Sequence, residues 1–145
     1  MAAPRYDATT NQMVRVDTAN PAVLNTRQRF TAAQVNAGAT VLAAVGGYAY
    51  RVISAKLVAI GGAAAGATAV VLLGTRSGAV TLMSVAVAGL TQSALVDLDD
   101  AAAAALADGA SFTPLDANTA ITIGKTGGSL TGATSIDVIL QYVLE

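Results

Sequence analysis

From Arg27 onward, apolar and polar residues alternate in short runs that are separated by glycine- and proline-containing turns. Such a period of two is typical of strands that bury one face. In the last run, Ile136, Val138, Leu140 and Tyr142 share one predicted face. Eight runs of this kind are predicted to be strands: 27–32, 39–44, 49–60, 67–73, 80–87, 94–98, 120–123 and 135–144. This number and spacing predict an all-β, antiparallel β-sandwich, and a jelly roll has eight strands.

Two further features refine this prediction. A single alternation through 48–60 places Tyr48, Tyr50, Val52 and Lys56 on one face of the third strand, opposite Leu57 and its neighbours. The segment 97–108 departs from the strand pattern because it contains five consecutive alanines, for which helix propensity is high. Since Asp99 or Asp100 can cap a helix, we expect one short helix or turn there, and little helix elsewhere.

The N-terminal segment differs from the rest of the chain. Residues 1–26 are polar, contain two prolines and show no sustained period, so we divide the chain into an extended N-terminal arm (1–26) and a β-sandwich domain (27–145). The first 29 residues carry a net charge of +2, against −3 for residues 30–145. An arm that contacts a neighbouring subunit fits this contrast, and a disordered terminus is the alternative. The residues predicted to make the arm's contacts are Arg5, Arg15, Arg27 and Arg29.

Composition indicates a protein that associates with other copies. Charged residues make up only 12% of the chain, whereas about 25% is usual. Hydrophobic residues reach 54% but aromatic ones only 4%, so small side chains dominate. The net charge of −1 gives no general attraction to nucleic acid. The uncharged stretches 57–75 and 77–96 are interrupted by glycines or by serines and threonines, so we predict no membrane helix.

The chain lacks the side chains that most catalytic and metal sites require. It contains neither histidine nor cysteine, which excludes histidine-dependent triads and thiolate metal sites. We therefore predict no enzyme activity and no catalytic, cofactor-binding or metal-binding residues. Two motifs have a functional alternative. A calcium ion is conceivable beside Asp97, Asp99 and Asp100, although an acidic loop explains them as well. The run 124–126 (GKT) lacks the glycine-rich loop of a phosphate site and is predicted to close a strand.

Tyr48 and Tyr50 flank a predicted turn and share a predicted face. They are candidates for interface or core aromatics, and stacking on a glycan or base is a further alternative. Lys56 and Lys125 lie among apolar residues, where burial would lower an amine pKa. Lysine side chains ordinarily extend along such surfaces to reach water, so neither is assigned a catalytic role.

Several runs resemble segments of small virion proteins of tailed bacteriophages. They are 30–40 (FTAAQVNAGAT), 107–112 (ADGASF), 118–125 (NTAITIGK), 133–138 (ATSIDV) and 142–143 (YV). The resemblance covers most of residues 30–145. It implies a decoration (cement) protein with a jelly-roll fold, usually a homotrimer, on the outer surface of the phage head.

That resemblance implies a structural function: stabilising a capsid by binding between its subunits, with the major capsid protein and further copies of the chain as partners. It implies no cofactor. Two other functions stay open at this point. One is a tail, baseplate or fibre module that binds a host receptor. The other is a carbohydrate-active or proteolytic enzyme, which would need two carboxylates converging in a cleft.

Overall fold

The structure, a computed structural model, describes residues 3–7, 12–16, 22–98, 100–104 and 111–145. The first two ranges are described by their backbone alone. Eleven strands are present in these ranges: β1 Ala3–Asp7, β2 Gln12–Val16, β3 Leu24–Thr31, β4 Ala39–Leu42, β5 Tyr50–Ile60, β6 Ala65–Thr75, β7 Ala79–Ala86, β8 Leu95–Asp97, β9 Ala103–Ala104, β10 Ile121–Thr131 and β11 Ser135–Leu144. The described residues also form one helix, α1 Ala32–Ala37, and a 3₁₀ turn at Val87–Gly89.

Two antiparallel sheets form a β-sandwich, which confirms the predicted fold class. A five-stranded sheet has the order β4-β10-β6-β7-β9, and a four-stranded sheet has the order β3-β11-β5-β8. The core lies between them. Leu57 and Val138 of the smaller sheet and Leu72, Met83 and Ile123 of the larger one are fully buried there. Burying these side chains is the main term that favours folding.

The face predicted for the last strand is confirmed. Ile136, Val138 and Leu140 of β11 are fully buried, and Tyr142 packs against the same core. The prediction for β5 needs correction. Its buried residues are Tyr50 and Val52 and then Ala55, Leu57 and Ala59, so the inward phase changes within the strand (burial pattern of Tyr50–Ile60). The register against β11 shifts between Gln141 and Tyr142, which leaves Ile53 as an extra residue. A β-bulge of this kind reverses which residues point inward.

Of the short helix or turn predicted at 97–108, the described residues form turns and a short strand, and no helix. The described part of 97–108 contains the end of β8, turns at 98 and 100–102, and β9. Ala103 and Ala104 pair with Val85 and Ser84 of β7. Pairing at the sheet edge thus outweighs the helix propensity of alanine at these positions. Asp99 and 105–110 lie outside the described residues.

The helix that is present was not predicted. α1 begins after Thr31, which forms a capping box with Gln34: the Gln34 N–H donates to Thr31 Oγ1 at 3.2 Å, and the Thr31 N–H donates to Gln34 Oε1 at 2.8 Å. Val35 is fully buried beneath it. Asn36 fastens the helix to β10, since its side-chain amide bonds with both the N–H and the C=O of Leu130.

The N-terminal segment also departs from the prediction. β1 and β2 pair antiparallel, from Ala3 with Val16 to Asp7 with Gln12. This corrects the idea of one extended arm, because the chain reverses direction between these strands and their backbone groups bond with each other. The predicted domain boundary at residue 26 falls inside β3, which begins at Leu24.

Candidate functional site

The outward face of the four-stranded sheet carries a carboxylate held between two guanidinium groups. Asp137 of β11 lies opposite Arg29 of β3, and Arg27 lies opposite Ile139, two residues further along. Residues at this spacing share a face. Arg27 Nη2 donates to Asp137 Oδ2 at 2.7 Å, and Arg29 Nε donates to Oδ1 at 2.7 Å. Each arginine makes a second bond to Oδ2 at 3.1 Å. We call these three residues the arginine clamp.

The clamp buries the acid and leaves the bases in water. The Asp137 side chain is 2% exposed, against 62% for Arg27 and 57% for Arg29. The hydrogen bond from Arg29 lowers the pKa of Asp137, burial opposes that change, and Arg27 reinforces it. The same bond raises the pKa of Arg29. Asp137 is therefore ionised at neutral pH, and the clamp displays two guanidiniums around one carboxylate, with one positive charge in excess.

A groove lies beside the β5 bulge on the same side of the sheet. It has a volume of about 320 Å³, is open to solvent and is lined by Ile53, Ser54, Lys56, Asp97, Leu98 and Phe112. Lys56 Nζ bonds with Asp97 Oδ2 at 2.9 Å. Asp97 is the one carboxylate among these lining residues, and it is neutralised by that lysine. The described groove therefore offers no converging pair of carboxylates for acid–base hydrolysis.

The described carboxylates of the acidic segment 97–100, considered above as calcium ligands, bond with groups of the protein. The Asp97 N–H donates to Asp100 Oδ2 at 2.6 Å, while the Asp97 carboxylate pairs with Lys56. Asp99 lies outside the described residues. Within the part of the chain that the structure describes, no group of three or more acidic side chains could hold a metal ion. The described oxygens of this segment thus serve a turn and an ion pair.

The two predicted aromatic residues have different environments. Tyr50 is 3% exposed, and its hydroxyl donates to the Ala43 carbonyl. Its ring contacts that of Tyr142 edge-on, with 5.4 Å between centroids. Tyr50 is therefore a core residue, because the β5 bulge keeps it inward. Tyr48 is half-buried in the preceding turn. The shared surface predicted for the pair is absent from this part of the structure.

The remaining sequence candidates have separate positions. Arg27 and Arg29 belong to β3 of the sandwich, whereas Arg5 lies on β1 and Arg15 on β2, where side chains are outside the description. Lys125 is inside β10, and its Nζ donates to the Gly127 carbonyl at 2.9 Å. The GKT run does not end the strand as predicted, since β10 continues to Thr131 with a bulge at Gly127. A bulge takes up the extra residue without ending the ladder.

Asp137 is the residue that sequence reasoning did not single out. Arg27 and Arg29, two positions apart in a predicted strand, signal a shared charged face. The partner acid is 108 residues away from Arg29 along the chain. Its identity follows only from the pairing of β3 with β11, which the sequence pattern does not specify.

Comparison with known proteins yields no family model, curated protein or solved structure that matches this chain. Among the described residues, no helix is long and apolar enough to cross a membrane.

Proposed function

We propose that the chain is a non-enzymatic structural protein that decorates the outer surface of a tailed-phage head, bridging major capsid subunits as a homotrimer. A protein that binds only the assembled lattice stabilises it by its own binding free energy. Trimerisation would strengthen attachment because, once one subunit is bound, the others bind at high effective concentration. The resemblance in 30–40 and 107–143 is the sequence support for this proposal.

The observation that carries the proposal is the order of the strands. When the eight longer sandwich strands β3, β4, β5, β6, β7, β8, β10 and β11 are counted one to eight, the sheets read 1-8-3-6 and 2-7-4-5. This is the order expected of a jelly roll, an architecture common in viral capsid domains. We therefore propose a jelly roll, in which β9 is an added edge strand.

The charge distribution supports self-association. The outward positions at the centre of the five-stranded sheet are uncharged. Leu73 of β6, Ser84 of β7 and Thr122 of β10 are partly exposed there, whereas Ala69, Val71 and Gly124 are already buried within the single chain. The cores of protein interfaces are depleted of charged residues in the same way.

The proposal is tested by mixing the purified chain with undecorated phage heads and imaging them by electron cryomicroscopy. We expect density on the outer surface between capsomers, in groups of three, and heads that resist heat better than undecorated ones. Sedimentation of the chain alone should show a trimer. A monomer that leaves heads unoccupied would contradict the proposal.

A receptor-binding module of a tail or fibre is the second candidate. The groove at the β5 bulge favours it, since Ile53 and Phe112, each 38% exposed, lie beside the polar Lys56–Asp97 pair. Exposed aromatic rings next to hydrogen-bonding groups suit adaptable recognition surfaces. Binding of the chain to intact host cells, lost in Phe112→Ala, together with empty heads would select this function.

A further inference from the structure

The edge formed by β3 differs from the other edges of the sandwich. β3 has eight residues, whereas the other edge strands, β4, β8 and β9, have four, three and two. An edge strand presents a row of N–H and C=O groups that can pair with another strand. A long edge strand therefore has many unpaired backbone groups, which proteins either cover or use to bind a partner strand.

The pairing phase shows which backbone groups face this edge. The Ala32 N–H donates to the Thr134 carbonyl at 3.1 Å, which places even-numbered residues in bonded pairs with β11. In an antiparallel ladder, alternate residues direct both groups away from the partner. Asn25, Arg27 and Arg29 thus direct theirs to the free edge. Thr31 has the same phase, and its N–H bonds with the Gln34 side chain rather than with β11.

Side chains close parts of the other edges. On β8, Asp100 accepts the Asp97 N–H at 2.6 Å. On β4, Gln28 donates to the Val41 carbonyl at 2.7 Å, which also joins the two sheets along this side. Within the described residues, no comparable bond covers the edge groups of 25, 27 and 29. Among the described strands of the sandwich, β3 is therefore the long edge with backbone groups open to pairing.

The arginine clamp lies on this same strand. Arg27 and Arg29 leave the backbone of β3 about 7 Å apart, since two residues of a strand span this distance. Their largely exposed guanidiniums converge on Asp137. Asp137 holds both by hydrogen bonds that fix their direction. Guanidinium forks recognise carboxylates with two parallel bonds, and each still has N–H groups beyond those given to Asp137. The strand thus combines a free backbone edge with two fixed cationic groups.

We infer that β3 accepts an additional strand from a partner protein, and that this strand carries acidic side chains two residues apart facing Arg27 and Arg29. The backbone edge would supply binding by strand addition, and the clamp would supply the preference for acids. The inference rests on the proposed function in that it assigns a chemistry to the bound partner.

A second copy of the chain does not fit this role. Across the described strands, acids occur singly: Asp7 in β1, Asp97 in β8 and Asp137 in β11. No described strand offers two acids on one face, and Asp137 is already bonded inside its own clamp. Charge complementarity therefore favours a different, acidic chain over self-association at this edge.

The test uses the full chain labelled with ¹⁵N and a capped seven-residue peptide of alternating threonine and aspartate. We expect the backbone amide signals of Asn25, Arg27 and Arg29 to shift at millimolar peptide. A peptide with asparagine in place of aspartate should bind roughly three- to tenfold more weakly, because exposed ion pairs contribute modestly. A peptide N-methylated on its pairing face should not bind, because it lacks the donors for strand addition.

The variant Arg27→Gln removes one guanidinium while Arg29 keeps the ion pair with Asp137, so the fold is retained. Arg27→Gln should weaken binding of the aspartate peptide by a similar factor and leave binding of the asparagine peptide unchanged. Unshifted amides at 25, 27 and 29, or equal binding of the two peptides, would overturn the inference. Because no phage head is present, peptide binding without head decoration would defeat the proposed function alone, and decoration without peptide binding would defeat this inference alone.

Discussion

The two ends of the sandwich hold their loops together by different means. At one end, the turn after β5 and the turn before β11 approach backbone to backbone: a Cβ on Gly132 would lie 2.3 Å from the Ala63 carbonyl oxygen, and one on Gly62 would lie 2.4 Å from the Gly132 oxygen. We call this the glycine end. At the other end, side chains bond with backbone groups. Asp116 accepts the Ser77 N–H, and Asn118 accepts the Gly47 N–H.

This difference determines how strongly a substitution at each end should affect stability. Backbone contact leaves no volume for any side chain, so a substitution must displace the opposite strand connection. Side-chain bonds are separate contributions, and each is worth about 0.5–1.5 kcal/mol. We expect the glycine end to be sensitive to single substitutions, and the side-chain end to lose stability in small steps.

The largest effect is expected from a glycine series that spans both ends. Gly132→Ala introduces the clash and a left-handed alanine, since its φ is 77°, so we expect a loss of about 2–5 kcal/mol of unfolding free energy. Gly47 has a φ of 80° but nothing within 4 Å of its added Cβ. Gly47→Ala should therefore cost only the backbone term, about 1–2 kcal/mol.

Gly46→Ala is the matched control at the same turn, because its Cβ also meets nothing within 4 Å and its φ is not left-handed. It should be neutral or stabilising by about 0.4–1 kcal/mol. Urea unfolding monitored by circular dichroism gives the three values. If Gly132→Ala costs no more than Gly47→Ala, close backbone contact is not what distinguishes the ends.

Asp137 lies on the sheet between the two ends, and its carboxylate is held by side-chain bonds alone. It therefore tests whether such bonds always contribute less to stability than close backbone contact does. Asp137→Asn removes a nearly buried charge that accepts four hydrogen bonds, so we expect a loss of about 1–3 kcal/mol at pH 7. The arginines stay solvated, which limits the loss. A cost as large as that of Gly132→Ala would break the comparison, because burial would then matter more than backbone contact.

The pH dependence of this cost has a definite sign. The pKa of Asp137 is lowered in the folded chain, mainly by the bond from Arg29. Its stabilising contribution is therefore complete above the unfolded pKa of about 3.9 and is lost as the pH falls through the folded pKa. The difference in unfolding free energy between the wild type and Asp137→Asn should shrink below about pH 4. A constant difference from pH 7 to pH 3 would contradict the ion pair.

The sequence predicts the positions of most strands because alternation and turn residues are local features of the chain. The alternation in 135–144 and the turn glycines locate seven of the sandwich strands to within a few residues, with β10 extending well beyond its predicted end. The errors occur where tertiary contacts decide. The bulge at Ile53 depends on pairing with β11, and Ala103–Ala104 become a strand because β7 is adjacent. The helix α1 is a different case, since Thr31 and Gln34 have the spacing of a capping box.

The arginine clamp could be predicted only in part. The spacing of Arg27 and Arg29 indicates one face, but their attribution to an arm placed them outside the sheet. Finding Asp137 requires the register between β3 and β11, and a shift of one residue would turn it to the opposite face. Glycine contacts are hidden for the same reason: the sequence shows turn residues at 62 and 132, not that their turns meet.

Tyr50 extends the comparison into the core at the side-chain end. Tyr50→Phe removes the hydroxyl bond to Ala43 and keeps the ring against Tyr142, so we expect a loss of about 0.5–1.5 kcal/mol. Burial raises the pKa of Tyr50 and of Tyr142, with Tyr142 adding to the shift of Tyr50. Their contribution is thus complete below about pH 10 and is lost as the pH rises through the folded values.

An ultraviolet absorbance titration should show late-ionising tyrosines in the wild type and fewer of them in Tyr50→Phe. If every phenol ionises near pH 10 while the chain is still folded, Tyr50 is not enclosed as described.

The smallest effect is expected for Asn118→Asp, and two further substitutions at Asn118 separate the cost of a lost hydrogen bond from the cost of left-handed backbone strain. Asn118 has a φ of 62°, and its Oδ1 accepts the Gly47 N–H at 2.6 Å. Asn118→Asp keeps an acceptor and tolerates this backbone, so it should stay within about 0.5 kcal/mol of the wild type. Asn118→Gly keeps the backbone freedom but loses the bond, for a cost of about 0.5–1.5 kcal/mol. Asn118→Ala loses the bond and adds left-handed strain, so it should be the least stable of the three. If Asn118→Ala and Asn118→Gly have the same free energy of unfolding, the turn has moved to relieve the strain. An end held by separate side-chain bonds permits such movement, whereas close backbone contact at the glycine end prevents it.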